Sequence, residues 1–148
     1  MYTFSEISPA NQAQVKLMLA NEGLPTEDFD TVNWFALRGA WVDGTLVSAG
    51  GLEQVEKELL LRSVVTDDAH RGQGLAYQVV NQLQDQAKSE GYTCISLLTL
   101  DQQDYFRRKL GYHEINRNDV SAAISNSAQF RGICPANASL MQLNLKNH

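Results

Sequence analysis

The residues whose types and spacing best suit chemistry stand at a corner, Arg71-Gly72-Gln73-Gly74-Leu75-Ala76. Before it runs an apolar, β-branched stretch, Leu59 to Val65, and after it a long amphipathic one. A strand, a glycine-containing corner and a helix in direct succession make a device for holding an anion. The helix N-terminus offers unpaired N–H groups and the positive end of the helix dipole. Glycines let the backbone approach a ligand with no Cβ in the way. A diphosphate is the ligand this geometry suits. Arg62, between Leu61 and Val64, is the second residue of note, because a guanidinium on a central strand is costly unless paired. It serves either as a carboxylate or oxyanion clamp for a second ligand or as one arm of a salt bridge with Glu53, Glu58 or Asp101. Cys134, before Pro135, reads as a packed small residue, since no histidine is placed to activate it.

Composition narrows the setting. A chain of 148 residues, 43% hydrophobic and 20% charged, suits one globular domain over residues 1–148. Twelve basic against 17 acidic side chains, with no basic run, argue against nucleic acid or an anionic membrane as partner. No apolar run approaches the roughly 20 residues of a membrane span, and the N-terminus lacks the regions of a signal peptide. Two cysteines, Cys94 and Cys134, far apart in sequence, imply a reduced, cytoplasmic protein. His70, His113 and His148 show no metal-ligand spacing with them, so no metal is expected.

The elements that must position the corner follow from periodicity. Tyr2 to Ile7 reads as a strand, and Ser8-Pro9 opens a helix with Val15, Leu17, Met18 and Leu19 on its apolar face, stopped by Gly23. Leu24 to Asp30 suggests a short second helix or an ordered loop. Asp43-Gly44 is a hairpin signal between Trp34–Val42 and Thr45–Val55, and Glu56-Lys57 turns into the strand Glu58 to Thr66. Gly50-Gly51 marks a bulge or a close backbone approach. Gly74 to Ser89 is helical, with Leu75, Val79, Leu83 and Gln86–Ala87 on one face. Tyr92 to Leu100 is a strand buried on both faces, Asp101 to Leu110 a short helix, and Tyr112 to Ile115 and Ala138 to Leu145 are strands. Asn116 to Asn137 is polar and gives no clear element. The fold class is α/β (α+β): a mixed, mostly antiparallel sheet of six to seven strands flanked by helices, in the order β-α-α-β-β-β-α-β-α-β-β.

That order, with Arg71-Gly72-Gln73-Gly74-Leu75-Ala76 between the fourth strand and the long helix, resembles the GNAT family of N-acetyltransferases, whose acetyl-CoA motif is Arg/Gln-x-x-Gly-x-Gly/Ala. The family's second element, an aromatic-bearing helix ending in Gly-aromatic, has its counterpart in Tyr105-Phe106-Arg107-Arg108-Lys109-Leu110-Gly111-Tyr112. Within the family, Leu60 to Val65, Leu97-Leu98-Thr99 and Gln129-Phe130-Arg131-Gly132-Ile133-Cys134-Pro135, with Ala138 and Met141, look like the arsenic-resistance branch. Amino-acid N-acetyltransferases share part of this layout.

The resemblance implies acetyl-CoA as co-substrate and a small-molecule amine as acceptor, an amino acid or amino-acid-like compound, with a homodimer as the assembly it allows. Arg71 to Ala76 would hold the diphosphate, and the backbone of Val64, Val65 and Thr66 would pair with the pantetheine amides, with the strand from Tyr92 splayed away to leave a slot. A backbone N–H near Val65 would stabilise the oxyanion. Glu53 and Glu58 are the candidate bases, and Arg62 with Glu53 would face the acceptor. Many members carry a tyrosine four residues before the second element's glycine. Here that residue is Arg107, so Tyr105 or Tyr112 must reach the sulfur by another route, or the thiolate leaves unassisted. Arg107, Arg108 and Lys109 would reach the adenosine phosphates or form a solvated face. An acetyl-CoA-binding regulatory module acting through a protein partner is the alternative reading, and protein N-terminal acetylation a weaker third.

Overall fold

The computed structural model describes residues 1–127, 130 and 137–147. Seven strands form one sheet in the spatial order β1-β2-β3-β4-β5-β7-β6. They are β1 (Thr3–Glu6), β2 (Trp34–Val42), β3 (Thr45–Val55), β4 (Glu58–Thr66), β5 (Cys94–Thr99), β6 (His113–Glu114) and β7 (Ser139–Asn144). Every neighbouring pair is antiparallel except β4 with β5. That one parallel pair needs a crossover, and α2 (Leu75–Ser89) supplies it. The remaining α-helices among the described residues are α1 (Gln12–Asn21), α3 (Gln103–Leu110) and α4 (Ala122–Ser125).

Helices cover both faces, as periodicity requires. Leu75, Val79, Leu83 and Ala87 of α2 pack with Leu52, Leu59 and Leu61 of the sheet, and Phe106 and Leu110 of α3 join the same core. A Cβ at Gly50 would lie 3.3 Å from Val79 Cγ1, so the glycine lets α2 sit close to β3. The opposite face buries Val15 and Leu19 of α1 against Leu37, Ala49 and Val65.

Several expectations are corrected here. Leu17 is exposed rather than part of the apolar face of α1. It lies two residues from both Val15 and Leu19, about 200° around the helix from each. Of the two readings of Leu24 to Asp30, the helix does not form and the loop is found, followed by a single 3-10 turn at Phe29–Thr31 with Phe29 buried. The helical order is therefore β-α-β-β-β-α-β-α-β-α-β, with the extra helix α4 inside the segment that carried no legible pattern. Ser121 caps α4, its Oγ accepting from the Ile124 N–H. Cys134, and the run from Gln129 to Pro135 apart from Phe130, lie outside the described residues, as does His148.

Tyr112 is a structural residue. It is 1% exposed, its ring packs edge-on against Phe106, and its hydroxyl donates to Gln84 Oε1 at 3.0 Å. Burial, with a smaller contribution from nearby Cys94, pushes its pKa well above the usual phenol value. The unfolded chain thus loses this proton at about pH 10 while the native state keeps it. The stability contributed by Tyr112 is full below that pH and declines as pH rises beyond it. We expect chemical denaturation midpoints to fall above about pH 10, and Tyr112→Phe to flatten that decline at a cost of about 1 kcal/mol at neutral pH. An unchanged slope in the variant would show that the tyrosine is not responsible.

Candidate active site

The site begins where β4 stops being a regular strand. Gly51 pairs with Arg62 and Ala49 with Val65, so β4 carries one residue more than β3 over that interval. Ser63 adopts φ +60° within this bulge, a left-handed conformation that is uncommon outside glycine. The parallel ladder to β5 joins Leu59–Ile95, Leu60–Ser96 and Leu61–Leu97 and goes no further. Beyond Leu61 the two strands part, and the β5-facing edge of β4 from Arg62 to Thr66 has no ladder partner in β5. The free end of β4 is held from its other side. Buried Ser48 donates its hydroxyl to the Val65 carbonyl at 3.0 Å and lies 3.0 Å from Thr66 Oγ1, while the Asp67 N–H donates to the Val47 carbonyl.

The corner follows at once. Asp68–His70 make a 3-10 turn, and Gly72 and Gly74 have φ +81° and +75°. Gly74 is the N-cap of α2 and leaves the first turn without a side-chain cap. A Cβ built on either glycine meets nothing within 4 Å. The space above the helix N-terminus is open, and the glycines are required there for their backbone angles.

A single cleft of about 870 Å³ joins these features. It passes through the gap in the sheet, with Ala76, Tyr77 and Tyr105 on the α2–α3 side and Leu19, Leu24 and Pro25 on the α1 side. Among the residues expected to act, Arg62, Val64, Val65, Thr66, Arg71, Gly72, Gly74, Leu75, Ala76 and Tyr105 all line it. Gln73 and Glu53 do not. Glu53 touches the cleft only through Arg62, and Glu58 sits at the paired end of β4, about 13 Å along the strand from Arg62.

Arg62 is the electrostatic centre. Its side chain is 4% exposed; Nη1 and Nη2 donate to Asp28 Oδ2 and Oδ1 at 2.8 and 2.6 Å, and Nη1 also donates to Glu53 Oε1 at 2.8 Å. Burial works against the guanidinium's charge, but the bonds to Asp28 and Glu53 outweigh it and hold the pKa above its ordinary value. The salt bridge to Glu53 was legible as one alternative; Asp28, from the loop between α1 and β2, was not. The Trp34 ring lies 5.9 Å from the guanidinium carbon, and Gly51 makes room for it: a Cβ there would lie 2.5 Å from the indole.

Tyr105 lines the cleft half-buried, and its pKa is raised by burial and by Tyr77. Its phenol therefore stays protonated at neutral pH. Tyr112, the other tyrosine considered, is in the core and not among the lining residues. Arg107 pairs with Asp104 on α3 at 2.9 Å and with Glu114 of β6 at 2.8 Å, as a paired surface cation. Arg71 pairs with Glu22, at the C-terminal end of α1, and with Asp68. Among the described residues no group of three or more His, Cys, Asp and Glu side chains is placed to hold a metal ion. No helix there is long and apolar enough to cross a membrane.

A strand edge released from its neighbour, ending in a glycine corner over an uncapped helix, suits a ligand that pairs like a strand and ends in an anion. The chain belongs to the acetyltransferase (GNAT) family, whose model matches residues 5–112. Among solved structures it resembles an acetyltransferase of the GNAT family from Staphylococcus aureus, at 15% identity and a TM-score of 0.78 over 98% of this chain and 99% of that one. It also resembles the N-acetylglutamate synthase of Neisseria gonorrhoeae, solved with coenzyme A and N-acetyl-glutamate (10% identity, TM-score 0.80, 98% of this chain and 35% of that one). The ribosomal-protein-S18-alanine N-acetyltransferase of Escherichia coli is a third (15%, 0.74, 98% and 94%). No curated protein sequence matches the chain. The protein is an N-acetyltransferase, and acetyl-CoA fits as its co-substrate.

Proposed function

We propose that the protein transfers acetyl to the amine of a small molecule, an amino acid or amino-acid-like compound, by direct attack in a ternary complex. The observation that carries this is the cleft's passage through the sheet. It puts the open edge of β4 and the α2 corner within reach of a ligand on one side and Arg62 within reach of a second ligand on the other. In this reading Arg71, Gly72, Gln73, Gly74, Leu75 and Ala76 receive the diphosphate, and Val64, Val65 and Thr66 the pantetheine amides. Acetyl-CoA supplies an activated acyl group, and the chain supplies position and proton transfers. Arg62 faces the acceptor with Glu53 bonded behind it, and of the two routes considered for Glu53 as base, direct and through water, the one through water fits that position.

Tyr105 is the proton donor to the leaving thiolate. Its support is its place on the cleft and its retained proton. Tyr105→Phe should lower kcat by about 10²-fold and move KM for acetyl-CoA little. An unchanged kcat would mean that the thiolate leaves unassisted.

The amino-acid class draws on the likeness of Leu60 to Val65 and Leu97 to Thr99 to the arsenic-resistance and amino-acid-type branch. The cytoplasm as the site of action rests on the two widely separated cysteines. A regulatory module with little turnover is the second reading, favoured by Arg107 where many relatives carry a tyrosine. Thiol release from acetyl-CoA across amino acids, their amides and polyamines separates the two. Turnover with any of them supports the enzyme; cofactor binding without turnover, together with a co-purifying protein, supports the module.

A further inference from the structure

We propose that Asp28 sets acceptor specificity, acting through Arg62 as a positioning residue, and that the cleft disfavours amines that keep a free carboxylate beside them. This rests on the reading above that Arg62 lies on the acceptor side, and it narrows the acceptor class given there from free amino acids to amino-acid-like amines whose carboxyl is masked. An arginine recognises a carboxylate best through two parallel N–H groups of its planar fork. In Arg62 the end-on pair of that fork is taken. Both terminal nitrogens bond to Asp28, and one is shared with Glu53. The side-on pair that is left, Nε–H with the second N–H of Nη2, runs through Nε, which is buried and has no partner, so that pair is not open to an incoming carboxylate.

The charges point the same way. One guanidinium between two carboxylates leaves one net negative charge, on side chains 4, 13 and 14% exposed. A pair needed only for stability requires one acid, and a second, largely desolvated acid is a cost unless something offsets it. The ammonium of an acceptor has the sign that does so. The walls nearby include Leu24, Pro25, Leu98 and Ala138, and an apolar lining strengthens charge interactions by excluding water. An acceptor carrying a carboxylate next to its amine brings like charge toward the cluster; the corresponding amide or ester does not.

Asp28 is the residue that sets this balance. It comes from the same loop that places Leu24 and Pro25 on the cleft wall, and it holds Arg62 by both ends. Asp28→Asn keeps the side chain's shape, loosens the fork and brings the cluster to zero net charge. Arg62 then has a donor to give to an acceptor's carboxylate.

The test measures thiol release from acetyl-CoA with matched pairs, each an amino acid and its amide. The wild type should favour the amide by about tenfold in kcat/KM. Asp28→Asn should move that ratio toward the free acid by about tenfold, and Asp28→Glu, which keeps the charge, should restore the amide preference. A merely structural aspartate would lower both rates together and leave the ratio alone. Equal rates for acid and amide in the wild type, or a ratio unmoved in a folded Asp28→Asn, overturn the inference while leaving the enzyme reading intact. If Asp28→Asn does not fold, the wild-type ratio decides. Failure to turn over any amine overturns the enzyme reading, and the inference falls with it.

Discussion

Gly74→Glu should abolish the stabilisation that acetyl-CoA gives the folded protein. Binding to the native state alone at a hundred times Kd contributes about 2.7 kcal/mol, which for a domain of this size raises the thermal midpoint by roughly 8 °C. Gly74 is the N-cap of α2, at φ +75°, and a Cβ there points into open space. Glutamate at this position acts twice. It strains a left-handed backbone by about 1–2 kcal/mol, and it sets a carboxylate where the cradle would receive a diphosphate. Gly74→Ala shares the strain without the charge, so it should lower the midpoint of the free protein while keeping most of the cofactor-induced shift. Differential scanning fluorimetry with and without acetyl-CoA reads both. A full shift in Gly74→Glu would remove the corner from the cofactor site.

Arg62→Ala is the largest expected loss of stability, about 3–5 kcal/mol. Removing the guanidinium leaves Asp28 and Glu53 facing each other with little access to water. The loss comes from two orphaned charges, and a double change of Asp28→Asn and Glu53→Gln in the same background should recover most of it. Urea denaturation of the three proteins separates this from simple loss of packing: a cavity effect would survive the double change. Because ionised acids are the cause, Arg62→Ala should regain stability as the pH is lowered into the carboxylate range, where protonation removes the repulsion. A loss below 1 kcal/mol would show that solvent reaches the cluster.

Much of this was written locally. Alternation and the Asp43-Gly44 signal give the hairpin of β2 and β3, since the side-chain period and the turn residues are short-range properties. The glycine corner between strand and helix is legible for the same reason: helix N-termini and positive φ are encoded within a few residues. Tyr112 shows the limit of that reading. As a phenol next to the second motif's glycine it was a plausible acid, and only its packing against Phe106 and its bond to Gln84 make it a core residue.

What the amino-acid order determines by itself is a set of local devices: the glycine pair of β3, the corner at Arg71 to Ala76, and an arginine that must be paired. Tertiary structure decides which of them meet. The pairing of β4 with β5 ends at Leu61, and that opens a cleft through the sheet. Arg62 finds Asp28, 34 residues away in a loop with no motif, and the two meet because α1 and the loop after it pack over the same face. Local patterns carry backbone geometry well because it depends on neighbours in sequence. Ion pairs over long separations depend on neighbours in space, and no residue spacing announces them.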